Sequence, residues 1–309
     1  MTGQDSTLMA AAAARFPDLT SSETVLIERT AAGCDADYRS DDAADNCPSK
    51  AGSWGSSRTL RAQVVAWLCT NGVEVVRGLL GIKIWGARIT GTLDLRGACI
   101  PIPLTLVYSS LETLLLMDAK TSSLILTGSR VGQILADRVQ IDGSLMVNQG
   151  FEAAGLVSIA AASVRGTLEC SGATFMNAGF DQYSLMAAGI RIGAEAFLNG
   201  AAARGCLSFY RADIRGDLDL RRARIGDGAK ALVGDYLTAG GVSREEMGSV
   251  VYCGIIHRWC GRCGLSFQEG CTTSSCGATR GRLSSETTGT ARTIFAGLPT
   301  TGRSSSFGF

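Results

Sequence analysis

The sequence is short of histidine, proline and aromatic residues, and charge of neither sign predominates. Among 309 residues there are one histidine, His257, and five prolines, and aromatic residues make up 6%. A catalytic triad needs a histidine or a substitute base beside its nucleophile, so a Ser-His-Asp site is not expected. Charged residues make up 18% and the formal net charge is +1. This composition disfavours a disordered chain and a general attraction to nucleic acid or acidic membranes.

Short motifs that carry nucleotide or metalloprotease chemistry are also missing. The chain has no Gly-x-Gly-x-x-Gly after a strand, no P-loop Gly-Lys-Ser/Thr and no His-Glu-x-x-His. An oxidoreductase that binds a dinucleotide therefore has no sequence fingerprint here.

The sequence contains no run of 18 apolar residues, so we expect no transmembrane helix. Residues 1–16 have an alanine-rich run, but no basic residue precedes it and Asp5 stands where a signal peptide would be positive. We predict a cytoplasmic protein, with peripheral membrane contact left open. Eleven irregularly spaced cysteines then indicate free thiols or metal ligands rather than a disulfide framework.

Residues 1–79 are predicted to form a small helical N-terminal cap with an acidic loop. Ser21 and Ser22 precede a short helical pattern that Gly33 ends. A second helix is expected after Ser56 or Ser57, because apolar residues follow at helical spacing. These apolar residues are Leu60, Val64, Trp67 and Leu68. Such a helix would cover the open end of whatever follows.

A repeat occupies residues 80–241. Its apolar residues come in pairs two positions apart, such as Leu93 with Leu95 and Leu218 with Leu220, and the pairs follow one another at steps of five or six residues. Residues two apart share one face of a strand, and the step is too short for hairpins. The pattern predicts a chain that turns a corner at each step, with four corners in a rung of about 21 residues. About seven rungs would stack so that the apolar pairs form internal ladders.

The repeat has an interruption and an unfinished end. We expect a loop at 177–183. Residues 242–309 are rich in Cys, Ser, Gly and Arg and carry no further apolar pairs. They are interpreted as an irregular tail, with three alternatives open: a metal-stapled cap, a disordered segment, or sequence that follows a reading-frame shift.

The repeat resembles the pentapeptide-repeat family. Ala212-Asp213-Ile214-Arg215-Gly216 is similar to its motif A-(D/N)-L-x-x, and residues 93–97 and 218–222 are looser copies. Residues 54–241 resemble a degenerate member of the actinobacterial type, which often carries the label membrane-associated oxidoreductase. The resemblance implies an all-β repeat fold, a right-handed parallel β-helix of quadrilateral section. The chain departs from the family after Val242, where further rungs would be expected.

One cluster in the tail has metal-ligand composition. The spacing Cys260-Gly-Arg-Cys263 is that of a zinc knuckle, and thiolates with one imidazole suit tetrahedral zinc. The candidate ligands are His257, Cys260, Cys263, Cys271 and Cys276. No other cofactor is expected.

Charged residues within the repeat are interpreted as surface features. Asp217 and Asp219 fall at a position that recurs from rung to rung, which favours a solvated face over an acid–base pair. The arginines at 211, 215, 221, 222 and 224 are interleaved with acids, which favours ion pairs over a phosphate site. Cys170 takes the place of an inward leucine and is expected in the core.

Three functions are weighed. The first is a non-catalytic scaffold that binds a protein partner, or a second copy, through a flat face or a rod end. DNA mimicry is not expected, because residues 81–226 hold 14 basic and 12 acidic residues. The alternatives are the oxidoreductase that the family label implies, and a zinc-stapled regulatory protein that uses residues 257–276.

Overall fold

Short parallel strands wind around a filled core in the region where the sequence predicts the repeat. A computed structural model describes residues 3–72, 81–177, 183–226, 232–243 and 252–253. Residues in successive circuits pair with each other in parallel: Leu104 lies beside Leu124, and Leu145 lies beside Leu168. One circuit, here called a rung, therefore takes about 20 to 23 residues, as predicted. The fold is a parallel β-solenoid of about seven rungs.

The elements follow in chain order. Three α-helices stand before the solenoid: α1 (Gly3–Arg15), α2 (Ser21–Ala31) and α3 (Ala62–Trp67). Between them lie β1 (Ala36–Asp37), β2 (Thr59–Arg61) and 3-10 turns at Ala43–Asn46, Pro48–Ser53 and Ser56–Arg58. A π-helical turn, Leu68–Gly72, extends α3.

Rungs 1 to 3 contain β3 (Ile82–Trp85), β4 (Arg88–Asp94), β5 (Cys99–Ile100), β6 (Leu104–Val107), β7 (Ser110–Leu115), β8 (Lys120–Thr121), β9 (Leu124–Ile125), β10 (Arg130–Leu135) and β11 (Gln140–Ile141). Rungs 4 and 5 contain β12 (Leu145–Met146), β13 (Glu152–Ala153), β14 (Val157–Ser158), β15 (Ser163–Val164), β16 (Leu168–Glu169), β17 (Thr174–Phe175), β18 (Tyr183–Met186) and β19 (Arg191–Ile192). Rungs 6 and 7 contain β20 (Ala196–Phe197), β21 (Ala202–Ala203), β22 (Cys206–Ser208), β23 (Asp213–Asp219), β24 (Arg224–Ile225), β25 (Leu232–Val233) and β26 (Thr238–Ser243), and β27 (Tyr252–Cys253) follows.

Each rung has four sides, which stack into four faces. Face I starts at β3, face II at the first half of β4, face III at its second half, and face IV at β5. Along every face, an inward residue lies on its equivalent in the next rung, because the pairing is in register. The fully buried ladders include Leu104, Leu106, Leu124 and Leu126 on face I. The apolar pairs of the sequence are thus the core, as predicted.

The four corners are built in two different ways. At the corners between faces I and II and between faces III and IV, one residue of nearly every rung has a positive φ. At the first corner these are Gly86, Tyr108, Gly128, Gln149, Gly150, Gly172, Gly200 and Arg222; at the second they are Gly97 (rung 1), Asp118, Arg138, Ala161, Gly189, Arg211 and Tyr236 (rung 7). The steps of the repeat place six glycines at corners, where unusual backbone angles are expected: Gly91, Gly97, Gly166, Gly172, Gly205 and Gly216. Gly97 and Gly172, and Gly91 at the corner between faces II and III, have a positive φ and confirm the expectation.

The other two corners need glycine for a different reason. A Cβ on Gly132 would lie 2.1 Å from the Glu112 carbonyl oxygen one rung below, and a Cβ on Gly193 would lie 2.2 Å from that of Arg165. Neither glycine has a positive φ. Rungs stacked at about 4.8 Å leave no room for a side chain at these bends. Gly166 and Gly216 belong to this second group, and Gly205 also has no positive φ, so the unusual angles expected at these three glycines were wrong.

The N-terminal cap adds two strands to the first rung. β1 pairs with β3 on face I, and β2 pairs with β4 on face II. The first predicted helix is α2, but its N-cap is Thr20, whose hydroxyl accepts the Glu23 N–H. The second predicted helix starts later than expected. Leu60 is buried in strand β2, because the free edge of β4 offers backbone pairing that a helix would forgo.

Side chains of α2 close the free edge of β2. The Ser22 hydroxyl donates to the Thr59 carbonyl oxygen at 2.7 Å, and the Arg61 N–H donates to Glu23 Oε1 at 3.0 Å. Glu23 also accepts hydrogen bonds from Arg61 Nε and Nη2, each at 2.7 Å. An exposed edge strand is a template for pairing with other chains, and here its polar groups are occupied.

Several predictions fall partly or wholly outside the described residues. The 177–183 interruption is described only at its ends, where Asn177 Nδ2 donates to the Tyr183 carbonyl oxygen at 2.7 Å. In the tail 242–309, only residues 242–243 and 252–253 are described. Residues 242–243 pair with the face I strand of rung 7 and β27 pairs with β25 on face III, so these residues add to a further rung that the sequence did not predict. The domain boundaries at 79/80 and 241/242 remain predictions, and so does the hand of the coil.

Candidate functional site

The interior of the solenoid is filled by side chains. An apolar cavity between rungs 3 and 5 has a volume of about 10 Å³, which is at the lower limit for a single water molecule. Cys170 lies there, fully buried as predicted, and burial raises the pKa of its thiol. A buried thiol held in its neutral form is a poor nucleophile. A functional site in the described part of the chain must therefore lie on the surface.

The two candidate acids differ in exposure: Asp217 is exposed, as a solvated face requires, whereas the Asp219 side chain is only 6% exposed, so the prediction was wrong for Asp219. The carboxylate of Asp219 accepts hydrogen bonds from Arg221 Nε at 2.9 Å and Nη2 at 2.7 Å, and these bonds lower its pKa. Asp94 makes the same contact with Arg96, two residues further on, and its pKa is lowered likewise. A carboxylate held ionised by a fixed guanidinium is poorly suited to proton transfer at neutral pH.

The five clustered arginines do not converge. Arg224 lies on face II, while Arg211 lies at the corner between faces III and IV. Arg215 precedes the corner between faces IV and I, and Arg221 pairs with Asp219. Since the solenoid distributes them over several sides, a phosphate site from this set is not formed.

A groove of about 670 Å³ lies in the cap, between the start of α2 and residues 37–58. Arg58 stacks on the Trp54 ring with its Cζ 3.8 Å from the centroid, and its Nε donates to the Gly86 carbonyl oxygen at 2.9 Å. Arg39 binds Asp37 through both of its side-chain oxygens, with a shortest distance of 2.7 Å. Asp37 neutralises Arg39, but the Arg58 guanidinium forms no ion pair among the described residues, and its Nη2 is buried without a hydrogen-bond partner. The groove can hold a small polar group, but no titratable side chain is poised in it for catalysis.

The outward surfaces of the four faces differ in character. Between the two inward residues of each strand, one side chain points outward, and these side chains form a column along each face. Faces I, II and IV carry charged residues in these columns, among them Lys83, Arg130 with Glu152 at 3.0 Å, and Arg191. On face III the column reads Asp94, Leu115, Leu135, Ser158, Met186, Ser208 and Val233.

Face III thus has the least charged central column, although Asp137, two residues beyond Leu135, accepts a hydrogen bond from the Ser158 hydroxyl there. From Leu115 to Val233 its described column holds no charged residue. Leu115 and Leu135 are half-buried although they point outward, because neighbours on the flat sheet shield them. These residues were not among those predicted from the sequence. The available signal was an apolar residue between two inward ones, as at Leu114-Leu115-Leu116.

An aromatic and cationic cluster lies at the far end of face III. The rings of Tyr210 and Tyr236 meet edge to face with centroids 6.0 Å apart. The Arg211 guanidinium lies 5.2 Å from the first centroid and 5.6 Å from the second. Tyr236 is 54% exposed, which makes it one of the more exposed large apolar side chains described. Tyrosine and arginine beside an apolar surface are the residue types enriched in binding hot spots.

No group of three metal-ligating side chains occurs among the residues that the structure describes. The predicted zinc ligands His257, Cys260, Cys263, Cys271 and Cys276 lie outside those residues, so the zinc site stays a prediction. No described helix is long and apolar enough to cross a membrane. Comparison of the chain with family models, curated proteins and solved structures found no match.

Proposed function

We propose that this chain is a non-catalytic scaffold of the pentapeptide-repeat type that binds protein through face III. The observation that carries the proposal is the central outward column of face III, which holds no charged residue from Leu115 to Val233, whereas the central columns of the other three faces each hold at least three. Contiguous apolar surface on a water-facing sheet marks an interaction site. The pentapeptide-repeat type is supported by four-sided rungs of about 20 to 23 residues and by the motif at 212–216.

The geometry also favours binding over catalysis. The faces are flat stacks of strands, whereas small-molecule sites are concave and collect a few convergent polar groups. The carboxylates of Asp94 and Asp219 are fixed in ion pairs, and the thiol of Cys170 is enclosed. A broad partner surface is the ligand that a flat face suits best.

The test compares one change on face III with a matched change on face IV. Leu135→Glu places a carboxylate in the apolar column, and Gln140→Glu places one at an exposed position of the next face. Proteins that cross-link to the full chain in a lysate of its source would be identified, purified and titrated against all three forms. We expect a partner that binds the wild type and Gln140→Glu but loses at least tenfold in affinity for Leu135→Glu. Equal binding to both variants would remove face III as the site.

The other two functions are tested separately. Zinc binding by residues 257–276 predicts one zinc per chain in metal analysis of the purified protein, lost in a Cys260→Ser/Cys263→Ser variant. The oxidoreductase function predicts a flavin or haem band in an absorbance scan. No arrangement among the described residues favours either over the scaffold.

A further inference from the structure

We propose that the groove in the cap binds a ligand that carries one carboxylate and several hydroxyl groups, the chemical class of the sugar acids. The groove lies at the corner between faces I and II, where the Arg58 guanidinium meets Gly86, so the proposal goes beyond the role given to face III. Its volume of about 670 Å³ is that of a small-molecule site. Unlike the flat faces of the solenoid, the groove is a concave surface with polar groups around it.

The charged side chains in and beside the groove leave one positive charge without a partner. Asp37 pairs with Arg39 at 2.7 Å, and Lys50 lies 4.0 Å from Asp45. Arg58 is the third cation, and it forms no ion pair with any residue that the structure describes. The two carboxylates act on its charge only from a greater distance. A ligand with one negative charge would therefore complete the charge balance of the groove.

Arg58 is fixed in place and poorly solvated, which favours it as the anion contact. Its guanidinium stacks on the Trp54 ring, and its Nε donates to a backbone carbonyl oxygen. Its Nη2 is buried without an acceptor among the described residues, and burial lowers the pKa of the side chain. A charge taken out of water without a partner is costly, so an anion that approaches Arg58 relieves part of that cost. Little conformational freedom is lost on binding, because the side chain is already held in place.

The remaining hydrogen-bonding capacity of Arg58 suits a carboxylate. Its Nη1 makes a long hydrogen bond of 3.3 Å to the Asp45 carbonyl oxygen and keeps a second N–H for a ligand. The planar guanidinium matches a planar carboxylate, whereas a phosphate dianion would bring a second negative charge towards Asp37 and Asp45. The groove therefore favours a carboxylate over a phosphate.

The beginning of α2 adds a favourable potential for an anion. Ser21 and Ser22 line the groove, and as the first two residues of the helix their N–H groups have no carbonyl partner within it. The positive end of the helix dipole thus lies at the groove. The Glu23 carboxylate lies at the same helix end, but its charge is balanced by the ion pair with Arg61.

Serine hydroxyls in the groove match the hydroxyl groups of the ligand. Those of Ser21 and Ser57 make no hydrogen bond to any other described residue. The Ser53 hydroxyl donates to a backbone carbonyl oxygen at 2.8 Å and can still accept, and the Ser40 hydroxyl accepts from a backbone N–H at 3.3 Å and can still donate. The groove therefore offers both donors and acceptors around the position of the carboxylate.

Isothermal titration calorimetry of the full chain tests the proposal with three probes: glucuronate, glucose and inorganic phosphate. Glucose has the ring hydroxyls of glucuronate but no carboxylate. At neutral pH we expect one saturable site per chain for glucuronate, with binding of glucose at least tenfold weaker. Phosphate should also bind more weakly than glucuronate, because of the two carboxylates near Arg58.

A matched pair of variants tests whether the ligand lies in the groove. Ser57 lines the groove beside Arg58, whereas Ser56 belongs to the same 3-10 turn, is also exposed and does not line it. Ser57→Asp should weaken glucuronate binding at least tenfold, because its carboxylate neutralises Arg58 and repels the ligand. Ser56→Asp adds the same charge and should weaken binding less than threefold. Circular dichroism establishes that both variants keep the fold; Arg58→Gln is a poorer test, since it also removes the contact with Trp54.

Three results would overturn the proposal. The first is no saturable binding of glucuronate at tens of millimolar, and the second is glucose or phosphate binding as tightly as glucuronate. The third is an equal effect of the two aspartate variants on glucuronate binding. None of these results bears on face III, which is tested with Leu135→Glu, so failure of the groove and failure of the scaffold function are distinguishable.

Discussion

Replacing Glu23 with glutamine tests how the cap closes the solenoid. The carboxylate is 1% exposed and accepts four hydrogen bonds: one from the Thr20 N–H, one from the Arg61 N–H and two from the Arg61 guanidinium. Glutamine has the same shape, but its amide group turns N–H donors towards other donors and removes the charge that pairs with Arg61. Breaking a buried pair on one side costs about 3 to 5 kcal/mol, and we expect about 3 because Arg61 is partly exposed.

The loss should appear first at the cap. Solenoid repeats contact only their neighbours, so the end of the stack can unfold separately. Three of the four tryptophans, Trp54, Trp67 and Trp85, lie in or beside the cap, and the fourth is Trp259. In a Trp259→Phe background, tryptophan emission therefore reports on the cap while far-ultraviolet circular dichroism reports on the strands. In urea, we expect Glu23→Gln to lower the midpoint measured by emission more than the midpoint measured by dichroism.

The matched control is Asp94→Asn. Asp94 makes a similar contact with an arginine guanidinium, with a shortest distance of 2.6 Å, but its side chain is 42% exposed. Exposed pairs contribute little because water screens them. If Glu23→Gln moved the emission midpoint no further than Asp94→Asn does, the buried carboxylate would not be what holds the cap in place.

Three further predictions follow from the same structure. Burial alone would raise the pKa of the Glu23 carboxyl, but hydrogen bonds from Arg61 and Thr20 outweigh it and lower the pKa. The ionised carboxylate therefore stabilises the fold fully above its ordinary pKa of 4.5, and this stabilisation is lost as the pH falls through the pKa of the folded protein. Unfolding of the wild type and of Glu23→Gln, measured over a range of acid pH, should show the difference between them disappear. Gly132→Ala should cost about 2 kcal/mol in urea unfolding because its Cβ meets a backbone carbonyl, whereas Gly52→Ala, with open space around it, should cost less than about 0.5. Exposed Cys99 should react with a maleimide within minutes and buried Cys170 only on unfolding, as peptide mapping by mass spectrometry would reveal.

The repeat could be predicted from the sequence because each strand and corner depends on residues that are close together in the chain. An inward pair such as Leu218 with Leu220 indicates a strand, and the step of five or six residues to the next pair indicates a corner. Because every rung repeats this pattern, a rung with an unclear pattern can be assigned from its neighbours. This redundancy is why the rung length and the core are confirmed.

The cap was predicted less well because its structure depends on contacts distant in the chain. Leu60 follows a helical pattern, yet it forms a strand because β4 lies 28 residues further on with an unpaired edge. The hydrogen bonds of Ser22 and Glu23 to the edge of β2 likewise depend on distant residues, Thr59 and Arg61. No pattern in the neighbouring sequence predicts these distant partners.

The candidate site was missed for a related reason. Residues such as Leu115 are apolar, and beside inward leucines they look like additional core. Only the register of the rungs shows that Leu115, Leu135 and Met186 line up on one outer face.

The two kinds of corner have a consequence for how such a chain can lengthen. Where left-handed residues make the bend between faces III and IV, the inward residues are always three apart, as at Leu95 and Ala98. At the bend between faces II and III, the number of residues between the inward residues varies. Phe175 and Leu185 lie on either side of it with the 177–183 interruption between them, and Ile225 and Leu232 lie on either side with residues 226–231 between them. Insertions at this one corner therefore leave the number and the stacking of the inward residues unchanged, so the corner could carry grafted sequence as in a display scaffold.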